Sequence, residues 1–371
     1  VLVHRGVRQF LKWVGANRAT LTLNPPASNA ELRALEQTLG GPLPSDLRLI
    51  LTRFNGGELP VGKMLPVGLE PGTIGAAVRD YAQAVKKDFL DPELLLPFCQ
   101  TAEGSLLAFD RSAGPVSDTW PIVDYYPDTG EERMIHRTMD GWCQTCVNEW
   151  ESGDFGAEFT LDVYLRKGER HVSVEPDVAT AYASVAHARK RAGMPEESMK
   201  AYLAAARCVP PLPWCDWEAL KIAVLIDKRA EAYEASSRLA ARAPSSAWEK
   251  RETTPLWVAQ VVAPLARRTG SPSRWVRMLS QLEEAADEDE RPDVHAIRVA
   301  IETGGPFPPL DPLREEPLVP PQPDLDAWFT AVKRSYHAGV VRDEDLLLEP
   351  SMAPLRERYP LGDCLRARRD F

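Results

Sequence analysis

An α+β domain followed by an all-α domain is the architecture this sequence predicts, and three observations predict it. Up to about residue 165, helix signals give way to antiparallel-hairpin signals and then to another helix, unlike the strand–helix alternation of a parallel wind. From about 177 to 301 the pattern is almost purely helical. Between 304 and 326 runs "GGPFPPLDPLREEPLVPPQPDLD", too rich in proline for a helix or an inner strand. The expected division is an α+β domain over 1–165, a helical-hairpin domain over 177–301, a Pro-rich linker over 302–326 and a helical tail over 327–371.

The elements of the first domain follow from local chemistry. Ser28 and Glu31 have the S-x-x-E spacing of a capping box, which satisfies amide donors at a helix start. Leu32, Leu35 and Leu39 fall on one face of that helix, and Gly40-Gly41 offers a left-handed exit. A second helix is expected with Ser45 as its cap, Leu47, Ile50, Leu51 and Phe54 as its apolar face, and Asn55-Gly56-Gly57 as its close. "LLLPFCQT" and "SLLAFD" read as strands joined through "AEG", and "WPIVDYY" and "ERMIHR" as a hairpin around "PDTGE". A helix from near Asp140, carrying Trp142, Val147 and Trp150, completes the domain.

The totals narrow the function classes. With 371 residues, 44% hydrophobic and 26% charged, the chain is globular and long enough for two or three domains. No apolar run approaches the ~20 residues that span a bilayer. "VLVHRGVRQFLKW" lacks an apolar core followed by a small-residue cleavage site, so a cytoplasmic location is expected. The formal net charge of −10 comes without a concentrated basic patch, which argues against nucleic acid and suits a basic protein partner. Six cysteines scattered at 99, 143, 146, 208, 215 and 364 are expected to be reduced.

"NPPASNAELRALEQTLGGPLPSDLRLILTRFNGG" resembles the signature of the SUKH superfamily: a proline-introduced helix, Leu-Pro, then a short helix closed by Asn-Gly-Gly. Glu36, Leu39, Gly40, Leu43, Pro44, Phe54, Asn55, Gly56 and Gly57 match it in order, while Leu47 stands where many members carry an aromatic. "LLPFCQTAEGSLLAFD" resembles the family's strand pair, and "GWCQTCVNEW" sits where its closing helix lies. The resemblance covers roughly 1–165 and implies a binding module. Members are immunity proteins that neutralise toxins, often nucleases, or relatives of yeast cell-wall regulators. It carries over no catalytic residue. The stretch from Leu43 to Gly57 reads as scaffold, because capping and turn chemistry accounts for its residues, with Asn55 as a ligand contact the functional alternative.

Residues 181–210 resemble a tetratricopeptide repeat: two helices broken at Gly193, small residues at Ala186 and Ala205, Tyr202 in the second helix and a closing Pro210. A second pass ends at Pro244, an interval of 244 − 210 = 34 residues, and a third keeps the rhythm around Gly270. A plain helical bundle would give a similar pattern. Either arrangement stacks hairpins into a surface suited to a peptide or protein.

Catalytic signals are few. Cys143 and Cys146 form a C-x-x-C, but no second pair completes a zinc set and no βαβ pattern surrounds it. Cys208 and Cys215 flank "VPPLPW" near Trp214 and Trp217, where packing explains them. No phosphate loop, H-E-x-x-H, nucleophile elbow or dinucleotide motif occurs, so no catalytic, cofactor or metal site is expected. "DYYPDTGEE" offers Asp124, Tyr125, Tyr126, Asp128, Glu131 and Glu132 as candidate contacts for a basic partner; a solvated hairpin with its tyrosines turned to the core is the plainer alternative. "EEAADEDERPD" is a solvated helix end. The expected function is non-catalytic protein binding, an immunity protein acting on a toxin. An intracellular adaptor is the alternative, and a thiol or metal enzyme on Cys143 and Cys146 the weaker one.

Overall fold

A computed structural model describes residues 4–370 apart from 86–94, 114–119, 127–130, 155, 243–252 and 269–271. Its backbone packing forms two units: Val1–Phe159 with Arg166–Ala181, and Thr160–Leu165 with Tyr182–Phe371. The division falls inside helices α6 (Leu161–Val174) and α7 (Ala179–Arg191).

Among the described residues, the first unit has an antiparallel meander of seven strands in sequence order: β1 (Thr22–Leu23), β2 (Gly57–Leu59), β3 (Gly62–Met64), β4 (Leu95–Thr101), β5 (Leu106–Asp110), β6 (Ile122–Tyr126) and β7 (Glu131–His136). Both hairpins read from the sequence are present, with Leu96 opposite Phe109 and Tyr125 opposite Glu132. Strands β1 to β3 are two or three residues long and carry no alternating apolar pattern that a sequence reading can use.

The expected capping box is formed in α2 (Asn29–Thr38): Glu31 N donates to Ser28 Oγ at 3.2 Å, and Ser28 N donates to Glu31 Oε2 at 2.7 Å. Gly40 takes the left-handed conformation, φ +70°, that ends the helix. In α3 (Ser45–Leu51) the expectation for Ser45 is corrected. Pro44 occupies the cap position, Ser45 is the first helical residue, and no side-chain cap bond is made. Proline's fixed φ presets this entrance without a hydroxyl acceptor.

Helices α1 (Arg5–Ala16) and α5 (Met139–Glu151) pack together on the sheet's main core. Gly6 permits the approach, because a Cβ there would stand 2.2 Å from the Asp140 carbonyl oxygen, and Val7 N donates to Asp140 Oδ1 at 3.0 Å. Trp142 lies 5.2 Å edge-on to Phe98 of β4 and 5.4 Å from Phe10 of α1. These rings join Leu32, Leu47, Phe54, Leu107, Phe109 and Ile122 in one buried cluster. The other sheet face buries Leu95, Ala108, Val123 and Tyr125. Strands covered on both faces read as nearly continuous apolar runs, which is why "LLLPFC" is legible.

The second unit is helical: most of α7, then α8 (Pro195–Arg207), α9 (Trp214–Leu225), α10 (Arg229–Ala241), α11 (Pro255–Arg267), α12 (Pro272–Ala285), α13 (Arg291–Thr303), α14 (Leu325–His337), α15 (Asp343–Leu348) and α16 (Ala353–Arg358). Successive helices pack as neighbours, α8 on α9 and α9 on α10. That is compatible with stacked helical repeats. Ala186 and Ala205 are fully buried, and Ser198 Oγ donates to the Ala186 carbonyl at 2.7 Å, so small side chains let the helices approach. Gly193 turns the α7–α8 hairpin with φ +75°. Pro244 and Gly270, used to phase the later repeats, lie outside the described residues.

The proline-rich segment forms neither helix nor strand between 304 and 324. It is tied within the second unit: Leu313 N donates to Glu349 Oε2, Arg314 pairs with Asp345 at 2.5 Å, and Trp328 Nε1 donates to the Val319 carbonyl.

Candidate binding surfaces

The matched signature residues are used in construction. Glu36 Oε1 accepts from Leu43 N at 3.2 Å and from Arg48 Nη1 at 2.7 Å, so one carboxylate ties the end of α2 to the start of α3. Asn55 N donates to the Pro25 carbonyl, Asn55 Oδ1 accepts from Val67 N at 2.7 Å, and its carbonyl accepts from Asn24 Nδ2 at 2.8 Å. A Cβ on Gly56 would meet the Met64 carbonyl at 2.5 Å, and one on Gly57 the Thr22 carbonyl at 2.3 Å. Only glycines allow β2 to lie between these backbones at φ +73° and +130°. Leu43 and Phe54 are buried in the main core, and Leu39 packs against it. The stretch from Leu-Pro to Asn-Gly-Gly is therefore a scaffold corner, with Asn55 spent on backbone, Arg48 on Glu36 and Asp46 on His4.

The model of the SMI1 / KNR4 family (SUKH-1) matches residues 26–144. No curated protein gives a significant match. The SUKH-1 match spans α2 to the first turns of α5, the region whose fold the signature residues build. It supports protein binding of the immunity-protein or cell-wall-regulator kind as the coarse function of this unit.

Within the SUKH-1 region the acidic hairpin is split by the pleat. Tyr125 is 4% exposed, packed with Leu95, Ala108 and Val123, so its ring is a core group and is withdrawn from the candidate contacts. Tyr126 and Asp124 share the opposite face and are half-buried. Arg133, which pairs with Asp124 across the strands, sits 5.8 Å from the Tyr126 ring centre. Burial raises the Tyr126 hydroxyl pKa, and Asp124 raises it further by accepting its hydrogen bond. Glu131 and Glu132 pair with Tyr126 and Tyr125 in the backbone register. Their side chains, and the whole of Asp128, lie outside what the structure describes.

Cys143 and Cys146 are core residues of α5, and burial pushes both thiols well above the usual range. Cys99 is likewise raised, to about 12. Thiols held protonated are poor nucleophiles and poor metal ligands, so burial disfavours thiol chemistry here. Cys215 and Cys364 are also buried, and Cys208 donates to the Ala204 carbonyl.

One group capable of holding a metal among the described residues escaped the sequence reading: His136, His171 and Glu175. His136 ends β7, His171 lies in the last turn of α6, and Glu175 follows one turn later. Glu175 Oε2 meets His136 Nδ1 at 2.5 Å and lies 3.5 Å from His171 Nε2, while its Oε1 accepts from Arg137 N at 2.8 Å. Burial works to raise the Glu175 pKa, but the bond to His136 and the nearby His171 imidazole hold it at about 2. The H-x-x-x-E spacing on one helix face was the available signal. The 35-residue separation from His136 gave none.

The second unit has a cleft of about 750 Å³ lined by Tyr202, Trp214, Trp217 and Tyr336 around a buried charge network. Lys190 Nζ bridges Glu218 at 2.8 Å and Asp343 at 2.6 Å, and Lys221 bridges Glu218 and Glu344. Tyr336 Oη donates to Asp343 at 2.7 Å. Burial opposes the Lys190 charge, yet Asp343 and Glu218 raise its pKa well above the ordinary value. Glu218 is correspondingly lowered: burial opposes its charge, but the two lysines outweigh it. Lys190 and Lys221 are answered by Glu218, Asp343 and Glu344, and the aromatic rings are the apolar surface that the cleft offers a partner. No helix among the described residues is long and apolar enough to cross a membrane.

Proposed function

We propose that this chain is a non-catalytic immunity protein that neutralises a cognate toxin by covering the toxin's working surface. The SUKH-1 match at residues 26–144 carries this reading. Its signature residues are occupied in turns and caps, which leaves the outer surface as the part that can act. A formal charge of −10 favours a basic partner such as a nuclease, through fields that speed encounter. The acidic end of the β6–β7 hairpin is the proposed steering element, with Asp124, Tyr126, Asp128, Glu131 and Glu132 as its groups.

The decisive experiment co-expresses this chain with the toxic product of a neighbouring gene and scores growth. Rescue is expected. Absence of rescue together with several stable cellular partners would favour the adaptor alternative, which the aromatic cleft of the helical unit supports. For the steering element, the double replacement Glu131→Ala with Glu132→Ala should slow association at low salt by about tenfold and matter little at high salt. An unchanged low-salt on-rate would remove the hairpin from the interface.

A further inference from the structure

The binding reading gives no task to His136, His171 and Glu175. We propose that these three side chains form a binding site for a zinc-type divalent cation, clasping the end of β7 to the end of α6 within the first unit. Two imidazoles and one carboxylate are a donor set that suits zinc, with a fourth position left for water. One atom from each residue lies within 4.8 Å of the others.

A second observation points the same way. His171 Nε2 is buried and has no hydrogen-bond partner among the described residues, although it faces the Glu175 carboxylate at 3.5 Å. A buried nitrogen left unmatched beside an anion is costly in an ordinary core, and a cation between the two would satisfy both. Tetrahedral zinc with bonds of ~2.1 Å places neighbouring ligand atoms ~3.4 Å apart. The His171–Glu175 pair already stands close to that spacing. His136 and Glu175, at 2.5 Å, are in direct hydrogen bond, so loading requires Oε2 to move away by about 0.9 Å. The other carboxylate oxygen stays on Arg137 N, an outer contact of the kind that orients metal-bound carboxylates. Gly141 leaves space for this group, because a Cβ there would stand 2.2 Å from the carboxylate.

The test uses the full chain, stripped with chelator and titrated with zinc by calorimetry and with cobalt by absorption. We expect one zinc per chain, a higher thermal midpoint with zinc, and visible cobalt bands without a thiolate charge-transfer band. His171→Ala and Glu175→Gln should each weaken binding by at least about a hundredfold. The His171 side chain is 17% exposed, so its removal perturbs packing least, and circular dichroism of the metal-free variants checks their fold. If either variant fails to fold, wild-type stoichiometry and the cobalt spectrum decide. The inference is overturned by no stoichiometric binding in the wild type, or by unchanged binding in folded variants. A thiolate band that disappears with Cys143→Ser and Cys146→Ser also overturns it. Toxin rescue is scored separately, so failure here leaves the binding proposal standing.

Discussion

Replacing Gly141 by alanine inside a helix would ordinarily stabilise a protein by up to ~1 kcal/mol, because glycine loses more backbone freedom on folding. Here the sign should reverse. An alanine Cβ at 141 would stand 2.2 Å from both Cδ and Oε1 of Glu175 and 2.8 Å from Oε2. Glu175 is 7% exposed and cannot swing into solvent without leaving its partners. Displacing it breaks the charge-assisted bond to His136, a loss of ~1.5–3 kcal/mol, and orphans Arg137 N, a further ~1–3 kcal/mol. After subtracting the helix gain and allowing partial relaxation, the net destabilisation is about 2–4 kcal/mol. For a unit of this size that lowers the thermal midpoint by roughly 4–16 °C. The comparison is Gly15→Ala in α1, where a new Cβ meets nothing within 4 Å and stability should rise by up to ~1 kcal/mol. Both variants are measured by urea unfolding followed through circular dichroism. The reasoning is refuted if Gly141→Ala is as stable as the wild type, or gains as Gly15→Ala does.

Two further outcomes test the charge network in each unit. Arg166 and Arg170 bond Asp154 and hold its pKa at about 2, below the ~3.9 of an unfolded chain. Its stabilisation is therefore present above about pH 4 and lost as pH falls towards 2. Asp154→Asn should flatten the fall of the urea midpoint across that window, and identical slopes would discount the pair. In the second unit, Asp216 is fully buried and accepts from Arg238 at 2.6 Å and Arg242 at 2.7 Å. Asp216→Ala removes the buried carboxylate from two guanidinium groups, leaving Arg238 with Glu234 and Arg242 with the Ala206 carbonyl, and should cost about 3 kcal/mol in chemical denaturation. A loss under ~1 kcal/mol would mean the arginines find water or other acceptors.

The sequence was enough to determine whatever is decided within a few residues. Ser28 and Glu31 are three apart, and their reciprocal bonds depend on little beyond that spacing. Gly40, Gly56 and Gly193 sit where only a left-handed backbone closes the turn. The two hairpins of β4 to β7 were legible because apolar runs and turn residues alternate there. Tertiary structure decided what depends on neighbours far along the chain. The pleat and register sent Tyr125 into the core and Tyr126 to the opposite face, a choice that a one-residue slip would invert. Strands β1 to β3 exist because a sheet edge was already there to pair with, since two or three residues form no strand alone. His136 meets His171 and Glu175 across separations of 35 and 39 residues, and only the packing of α6 beside β7 brings those nitrogens and that carboxylate together.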